Sequence, residues 1–328
     1  MNGLPLLDLS TATPQAVLAA LRSSGALRVR DQAVPASRCA QAVSDAAAFF
    51  ARPQADKDAL AIARSPHFRG YSRMHNARDW REQIHFGPEQ ACSRERESER
   101  EPWARLEGPN LWPEDAAWRD RMLAHLAAVD HLGQRLLSLV AQGLGLPAQT
   151  FADEHPPYLL MKLIAYHPQH QAQPLRPGVA AHLDFSWVTL TLQDETGGLE
   201  VMDPEGCWIP VDPVPGTWLV NVGELLQFAT RGALVATPHR VLNRSSSRSR
   251  VSIPVFINPA LRATVAPLDL PEAAVSAGHD RPHVHHVLDP TAPRRAFVFG
   301  AAEWRRKGEN RWCRLCAGAS AGLAPQPG

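Results

Sequence analysis

Beyond Pro157 the chain becomes a series of short apolar runs rich in β-branched and aromatic residues: YLLMKLIAY, WVTLTLQ, GLEVM, CWIPV, TWLVNV, HRVLN and RVSIPVFIN. Each has the length and composition of a strand, and turn residues separate them. Gly197-Gly198 and Asp203-Pro204-Glu205-Gly206 are hairpin chemistry, because glycine accepts a positive φ and proline presets a turn angle. So many short strands at such close spacing predict a β barrel or sandwich across residues 157–262.

The residues before it are mixed. Positions 5–9 and 26–29 read as strands and 15–21 as a helical pattern that Gly25 separates from the second strand, and the Ala-rich stretch 40–50 reads as a second helix. Residues 68–87 carry Gly, Tyr, Trp and His in an order that fits no helical stripe, so loops and short strands are expected there. Between 118 and 144, Met122, Leu126, Val129, Leu132, Leu136 and Val140 recur every three or four positions, as one buried face of the longest helix requires. Glycines at 143 and 145 and Pro147 then stop it. The expected class is mainly β with packed helices (α+β). The expected organisation is an N-terminal region (1–117), a long helix and connection (118–156), the β core (157–262), a C-terminal extension or lid (263–316) and a disordered tail (317–328).

An apolar fraction of 45% supplies a sizeable core, and 34 Lys plus Arg against 33 Asp plus Glu leave no global positive field to gather nucleic acid or anionic lipid. The expected partner is a small molecule. No apolar run approaches the roughly 20 residues of a membrane-spanning helix, and the start MNGLPLLDLSTATPQ lacks the pattern of a secretory leader. Five cysteines, an odd number, argue against a disulfide framework, and a cytoplasmic location is expected. Cys313 and Cys316 sit at CxxC spacing without the two further ligands a zinc site wants. His283, His285 and His286 form a tract that likewise lacks partners at a defined spacing, and SRERESERE at 93–101 reads as a solvated surface segment. Nothing in these patterns indicates an oligomeric state.

The chemistry lies inside the β region. In AAHLDFSW, His182 and Asp184 are two apart, so on a strand they project from one face and can share a metal. His239 follows at the head of HRVLN, after a gap long enough for several hairpins to bring it back beside the pair. Two imidazoles and one carboxylate on one face of an octahedron leave three positions open, the arrangement that suits iron(II) and its oxygen chemistry. Zinc-dependent hydrolysis would want a positioned base such as the Glu of an HExxH helix, and that motif is absent. Arg250 and Ser252 form a second i, i+2 pair. A buried guanidinium demands an anion, its planar fork suits a carboxylate, and the hydroxyl adds a hydrogen bond, so the far end of a dicarboxylic acid is a natural guest.

HxD, the distal His in PHRV and RxS in SRVSIPVFINP together resemble the isopenicillin N synthase-like family of iron(II) and 2-oxoglutarate-dependent oxygenases. LLDLS, SSGALRVRDQAVP, FRGY, GPNLWP and QDETGGLEV are similar to that family's segments in the same order, so the resemblance covers most of the chain. It implies a double-stranded β-helix, or jelly roll, with His182, Asp184 and His239 as iron ligands and Arg250 and Ser252 on the distal carboxylate of 2-oxoglutarate. Tyr166, in LIAYHP, stands where the family often places a tyrosine that hydrogen-bonds the cosubstrate; its flanks depart from NYYP or HYPP, and a packed core tyrosine is the other reading.

The implied reaction uses iron(II), 2-oxoglutarate and O2 to hydroxylate, desaturate or cyclise a small polar metabolite, such as an amino acid or natural-product intermediate. Two alternatives stay open: an oxidase that needs no 2-oxoglutarate, like isopenicillin N synthase itself or 1-aminocyclopropane-1-carboxylate oxidase, and a non-catalytic metal- or ligand-binding barrel. The family counterpart of residues 68–87 forms part of the barrel mouth, which implies substrate contacts from Arg69, Tyr71, Glu82 and His85; Arg69 and Glu82 read equally as partners of other charges. Residues 299–312 are either a lid or an amphipathic segment docked on the barrel.

Overall fold

The computed structural model describes residues 3–91, 101–169, 175–274 and 296–309. Residues 93–100, His283, His285, His286, the Cys313 and Cys316 pair, Trp312 and the tail 317–328 lie outside the described residues. The first half runs β1 (Leu6–Asp8), α1 (Pro14–Ser24), β2 (Ala26–Arg30), α2 (Ala36–Phe50), α3 (Gln54–Asp58), β3 (Gly70–His75), β4 (Trp80–Phe86) and α4 (Ala116–Gly143). The second runs β5 (Leu159–Tyr166), β6 (Val179–His182), β7 (Val188–Gln193), β8 (Leu199–Met202), β9 (Trp208–Pro210) and β10 (Trp218–Val222). It continues with α5 (Glu224–Ala229), β11 (His239–Val241), β12 (Arg250–Ile257), β13 (Thr264–Val265), β14 (Phe297–Val298) and α6 (Phe299–Glu309).

Local chemistry places the helices. The Thr13 side chain accepts from the Ala16 N–H, Pro14 opens α1, and Gly25 closes it at φ 67° with its N–H on the Leu21 carbonyl. Asp115 caps α4 by accepting from the Trp118 N–H at 2.9 Å. The expected α4 stripe, Met122 to Val140, is buried throughout, and the helix ends at Gly143 with Gly145 at φ 75°. Glycine at 133 lets α4 approach the sheet, since a Cβ there would stand 2.7 Å from Ile257.

An eight-stranded sheet, ordered β1-β2-β10-β7-β12-β5-β4-β3, and a four-stranded sheet, ordered β6-β11-β8-β9, form the jelly roll. The α+β class expected from the runs after Pro157 is the one found. Residues 68–87 are more regular than expected: β3 and β4 make a full antiparallel hairpin, from Gly70 opposite His85 to His75 opposite Trp80, and β4 then pairs with β5. Its absent helical stripe was a strand alternation carrying polar residues on both faces.

One turn expectation is corrected. Asp203 to Gly206 does close a hairpin, between β8 and β9, but Gly197-Gly198 does not: it carries the chain from β7 in the large sheet to β8 in the small one. Gly198 has φ 86°, and a Cβ would lie 2.3 Å from the Leu242 carbonyl oxygen, whereas Gly197, at φ 76°, has only Pro213 at 3.9 Å. Gly198→Ala is expected to destabilise the fold by about 2–4 kcal/mol and Gly197→Ala by only about 1 kcal/mol, because only the former adds a backbone collision to an unfavourable φ. Equal losses in urea denaturation would show that the close approach carries no energy.

Candidate active site

β6 and β11 pair antiparallel with His182 directly opposite His239. Asp184 lies two residues past the end of β6, so the chain bend after His182, not strand alternation, brings its carboxylate round. The Nε2 atoms of His182 and His239 each stand 3.6 Å from one Asp184 oxygen, and one ligand atom from each of the three residues falls within 4.8 Å of the others. His182 donates its Nδ1 proton to the Ala180 carbonyl at 2.9 Å and His239 its own to the Thr237 carbonyl at 3.1 Å. In the neutral rings both Nε2 atoms would therefore present lone pairs to a carboxylate, three acceptors with no proton between them. A cation relieves that arrangement, and imidazoles fixed by carbonyl contacts at the far nitrogen are the usual preparation for one.

Electrostatics favour a neutral His182 and an ionised Asp184, the forms that could ligate a metal. Burial, and then the neighbouring His239, push His182 far below the usual histidine range, so it stays neutral. Burial alone would raise the Asp184 carboxyl, but His239, His182 and hydrogen bonds from Asn221 and Thr189 hold it below its ordinary value. Asn221, 1% exposed on β10, donates to Asp184 at 2.9 Å. Its role was invisible in TWLVNV, because only the pairing of β10 beside β7 brings it near the triad.

Arg250 and Ser252 open β12 and face the same cavity. Arg250 is fully buried. Its Nε donates to the Gly197 carbonyl at 2.6 Å and one Nη to Gln193 at 2.9 Å, while the other, Nη1, has no hydrogen-bond partner. The Tyr166 ring lies 5.0 Å from the guanidinium carbon, and Tyr166 also lines the cavity, so its two readings, packed and cosubstrate-facing, are compatible. A buried guanidinium with one unused edge beside a hydroxyl has the donors to seat a carboxylate.

The cavity has a volume of about 670 Å³ and takes lining residues from both sheets and from α6. Among the four expected mouth residues only His85 lines it. Strand parity explains the correction: Arg81, Gln83 and His85 of β4 face the cavity, so Glu82 must face away, and Tyr71 of β3 turns with it. Glu82 instead binds Lys57 at 2.8 Å and accepts from the Tyr71 hydroxyl at 2.5 Å. Arg69, 1% exposed, is a packing residue whose two Nη groups donate to the Tyr158 hydroxyl and the Leu106 carbonyl. Since Lys57 and Glu82 are both buried, Glu82→Ala is expected to cost about 3–5 kcal/mol by stranding the ammonium, while leaving the KM for any substrate within about twofold. A raised KM without loss of thermal stability would restore Glu82 to the site.

Arg81, Gln83, Lys162, Glu303, Arg306 and Lys307 also reach the cavity and were not singled out from sequence. A period-2 reading of WREQIHF would have grouped the first two with His85. The α6 residues resemble any charged helix face until α6 is seen against the barrel.

Comparison with known proteins places this geometry among relatives. A family model described as the 2OG-Fe(II) oxygenase superfamily matches residues 158–259, and one described as the N-terminal region of non-haem dioxygenases in morphine synthesis matches residues 4–115. A 2-oxoglutarate-dependent dioxygenase of Dothideomycetidae sp. is 30% identical over 309 residues, covering 84% of this chain and 79% of the relative. Another from Gibberella zeae is 31% identical over 303 residues, covering 82% and 79%. Among solved structures, a full-length Neurospora crassa protein in complex with alpha-KG aligns with a TM-score of 0.71 at 21% identity, covering 93% of this chain and 96% of its own. The dioxygenase for auxin oxidation in rice aligns at 0.68 and 26% identity, covering 94% and 96%.

Proposed function

Because the chain belongs to the 2OG-Fe(II) oxygenase superfamily, we propose that His182, Asp184 and His239 hold its iron(II) and that Arg250 and Ser252 seat 2-oxoglutarate. The activity is that of a 2-oxoglutarate-dependent dioxygenase. The observation that carries the residue assignment is the convergence of two Nε2 lone pairs and a carboxylate, each imidazole already committed at Nδ1. Iron(II) with 2-oxoglutarate and O2 supplies the oxidising power, with loss of CO2 and release of succinate coupled to oxidation of a substrate carbon.

The chain's own part is positioning. Asn221 and Thr189 orient Asp184, and the Ala180 and Thr237 carbonyls orient the imidazoles. Gly197 and Gln193 hold Arg250 before any ligand arrives, so its unused Nη1 and the Ser252 hydroxyl meet the distal carboxylate already aligned, with little ordering left to lose. The Tyr166 ring flanks that end of the cosubstrate. A cavity of about 670 Å³ that must also take 2-oxoglutarate restricts the substrate to a small molecule.

No helix among the described residues is long and apolar enough to cross a membrane. Cys39 and Cys207 are free thiols, which supports placement in the reducing cytoplasm. The testing experiment is anaerobic titration of iron(II)-loaded protein with 2-oxoglutarate, following the weak visible charge-transfer band of the chelate, and then succinate release on admitting O2. A saturable band and succinate formation are the expected results; no band in folded, iron-loaded protein would overturn the assignment.

A further inference from the structure

Lys162 lies four residues from Tyr166 on β5, about 13 Å along the strand from the Arg250 end. Around it the cavity wall changes character. Three cations there each stand over an aromatic ring: Lys162 over Phe256 at 4.6 Å, Arg306 over Phe185 at 5.9 Å and Lys307 over Phe68 at 5.4 Å. All six side chains line the cavity. Among the described side chains of α6 one carboxylate reaches this corner, Glu303, and it is shared by Arg306 at 2.6 Å and Lys307 at 3.2 Å. Lys162 makes no ion pair with any described residue, and His85, its register partner on β4, has both ring nitrogens without a hydrogen-bond partner.

The charge count is lopsided. Among the described residues three cations face one carboxylate, and Arg81, also lining the cavity, is already paired with Asp79 at 2.9 Å. Burial, and then Arg81, Arg306 and Lys307, push the Lys162 ammonium down to about 7; Asp184 acts on it in the opposite sense, but its charge belongs to the metal. A pocket that gathers cations, leaves one unpaired and covers the intervening surface with rings is costly until an anion with an apolar body enters it.

We propose that the substrate is an organic carboxylic acid with an apolar body, whose carboxylate sits between Lys162, His85 and the Arg306–Lys307 turn of α6 while its body lies among Phe68, Phe185 and Phe256. This rests on the reading of Arg250 as the 2-oxoglutarate seat. It also departs from the amino acid expected from sequence: the described acids lining the cavity are Asp79, Asp184 and Glu303, all committed, so an ammonium group would find no free carboxylate among them.

The test is anaerobic calorimetry on iron(II)-loaded full-length protein saturated with 2-oxoglutarate. The probes are three acids with their primary amides, namely benzoate with benzamide, 3-phenylpropanoate with 3-phenylpropanamide and hexanoate with hexanamide, together with L-phenylalanine. At least one acid is expected to bind tenfold or more tighter than its amide, and L-phenylalanine no tighter than 3-phenylpropanamide. Lys162→Met is expected to erase the acid preference while leaving 2-oxoglutarate affinity within twofold, and Arg306→Gln, on a separate element, to reduce it.

No acid preference in any pair, complete absence of binding included, overturns the proposal, as does a preference that survives both substitutions. If Lys162→Met weakens 2-oxoglutarate instead, the lysine belongs to the cosubstrate and the proposal falls. Failure of the unaltered protein to bind 2-oxoglutarate is seen separately, in the charge-transfer band, and removes the Arg250 reading along with it.

Discussion

His182→Ala is expected to abolish the charge-transfer band of the iron and 2-oxoglutarate chelate and to reduce succinate formation by more than about a hundredfold, the most that loss of a mere supporting contact costs a metal site. The substitution removes one of three converging donor atoms and leaves a bidentate remnant that cannot hold iron(II) against buffer. The fold has little to lose. His182 ends a four-residue strand, its side chain is one-third exposed, and its contacts are the Ala180 carbonyl, the Asp184 carboxylate at 3.6 Å and the His239 ring at 4.2 Å. Melting of the metal-free variant should therefore match the unaltered protein, while the upward shift in Tm on adding iron(II) disappears. A variant that melts normally and keeps both the band and the iron(II) shift would remove His182 from the ligand set.

Arg250→Ala is expected to raise the apparent Kd for 2-oxoglutarate by about 30- to 4,000-fold, since truncating one partner of a buried, hydrogen-bonded charge pair costs roughly 2–5 kcal/mol. Iron(II) binding should persist, because the triad takes its support from Ala180, Thr237, Asn221 and Thr189 and none from Arg250. That separates the two defects: His182→Ala loses metal and cosubstrate together, Arg250→Ala the cosubstrate alone. Arg250→Lys should rescue little. The native guanidinium spends Nε on Gly197 and one Nη on Gln193 and still offers Nη1, and one ammonium cannot occupy those three directions. Unchanged 2-oxoglutarate affinity in Arg250→Ala would move the distal carboxylate to another site and leave the guanidinium as a structural clamp on the Gly197-Gly198 crossing.

Both effects fall on residues legible without coordinates. His182, Asp184, His239, Arg250 and Ser252 share a short stretch of strand-forming chain at spacings with few other uses, and the α4 stripe from Met122 to Val140 stated its buried face outright. Less legible was the hairpin of β3 and β4. In β4 the apolar Trp80, Ile84 and Phe86 alternate with the polar Arg81, Gln83 and His85, but Glu82 interrupts the apolar face, so Glu82 and His85, three apart, were grouped by residue type although strand parity puts them on opposite sides. Gly197-Gly198 carried the right φ values but the wrong connection, because a positive φ permits a turn without naming the sheet that receives the next strand.

What the sequence determined by itself was the β core, the long helix, the candidate metal triad and the pair proposed for the carboxylate: features whose information is local, carried by residue type and by spacing within one strand or helix. Tertiary structure alone decided which residues support and surround them. Asn221 meets Asp184 across 37 positions, Gln193 and Gly197 reach Arg250 across more than 50, and the Arg306–Lys307 turn lines a wall far from the Lys162 strand in sequence. Such contacts arise from the order in which the sheets close and a helix packs over them, and no periodicity in the chain records that order.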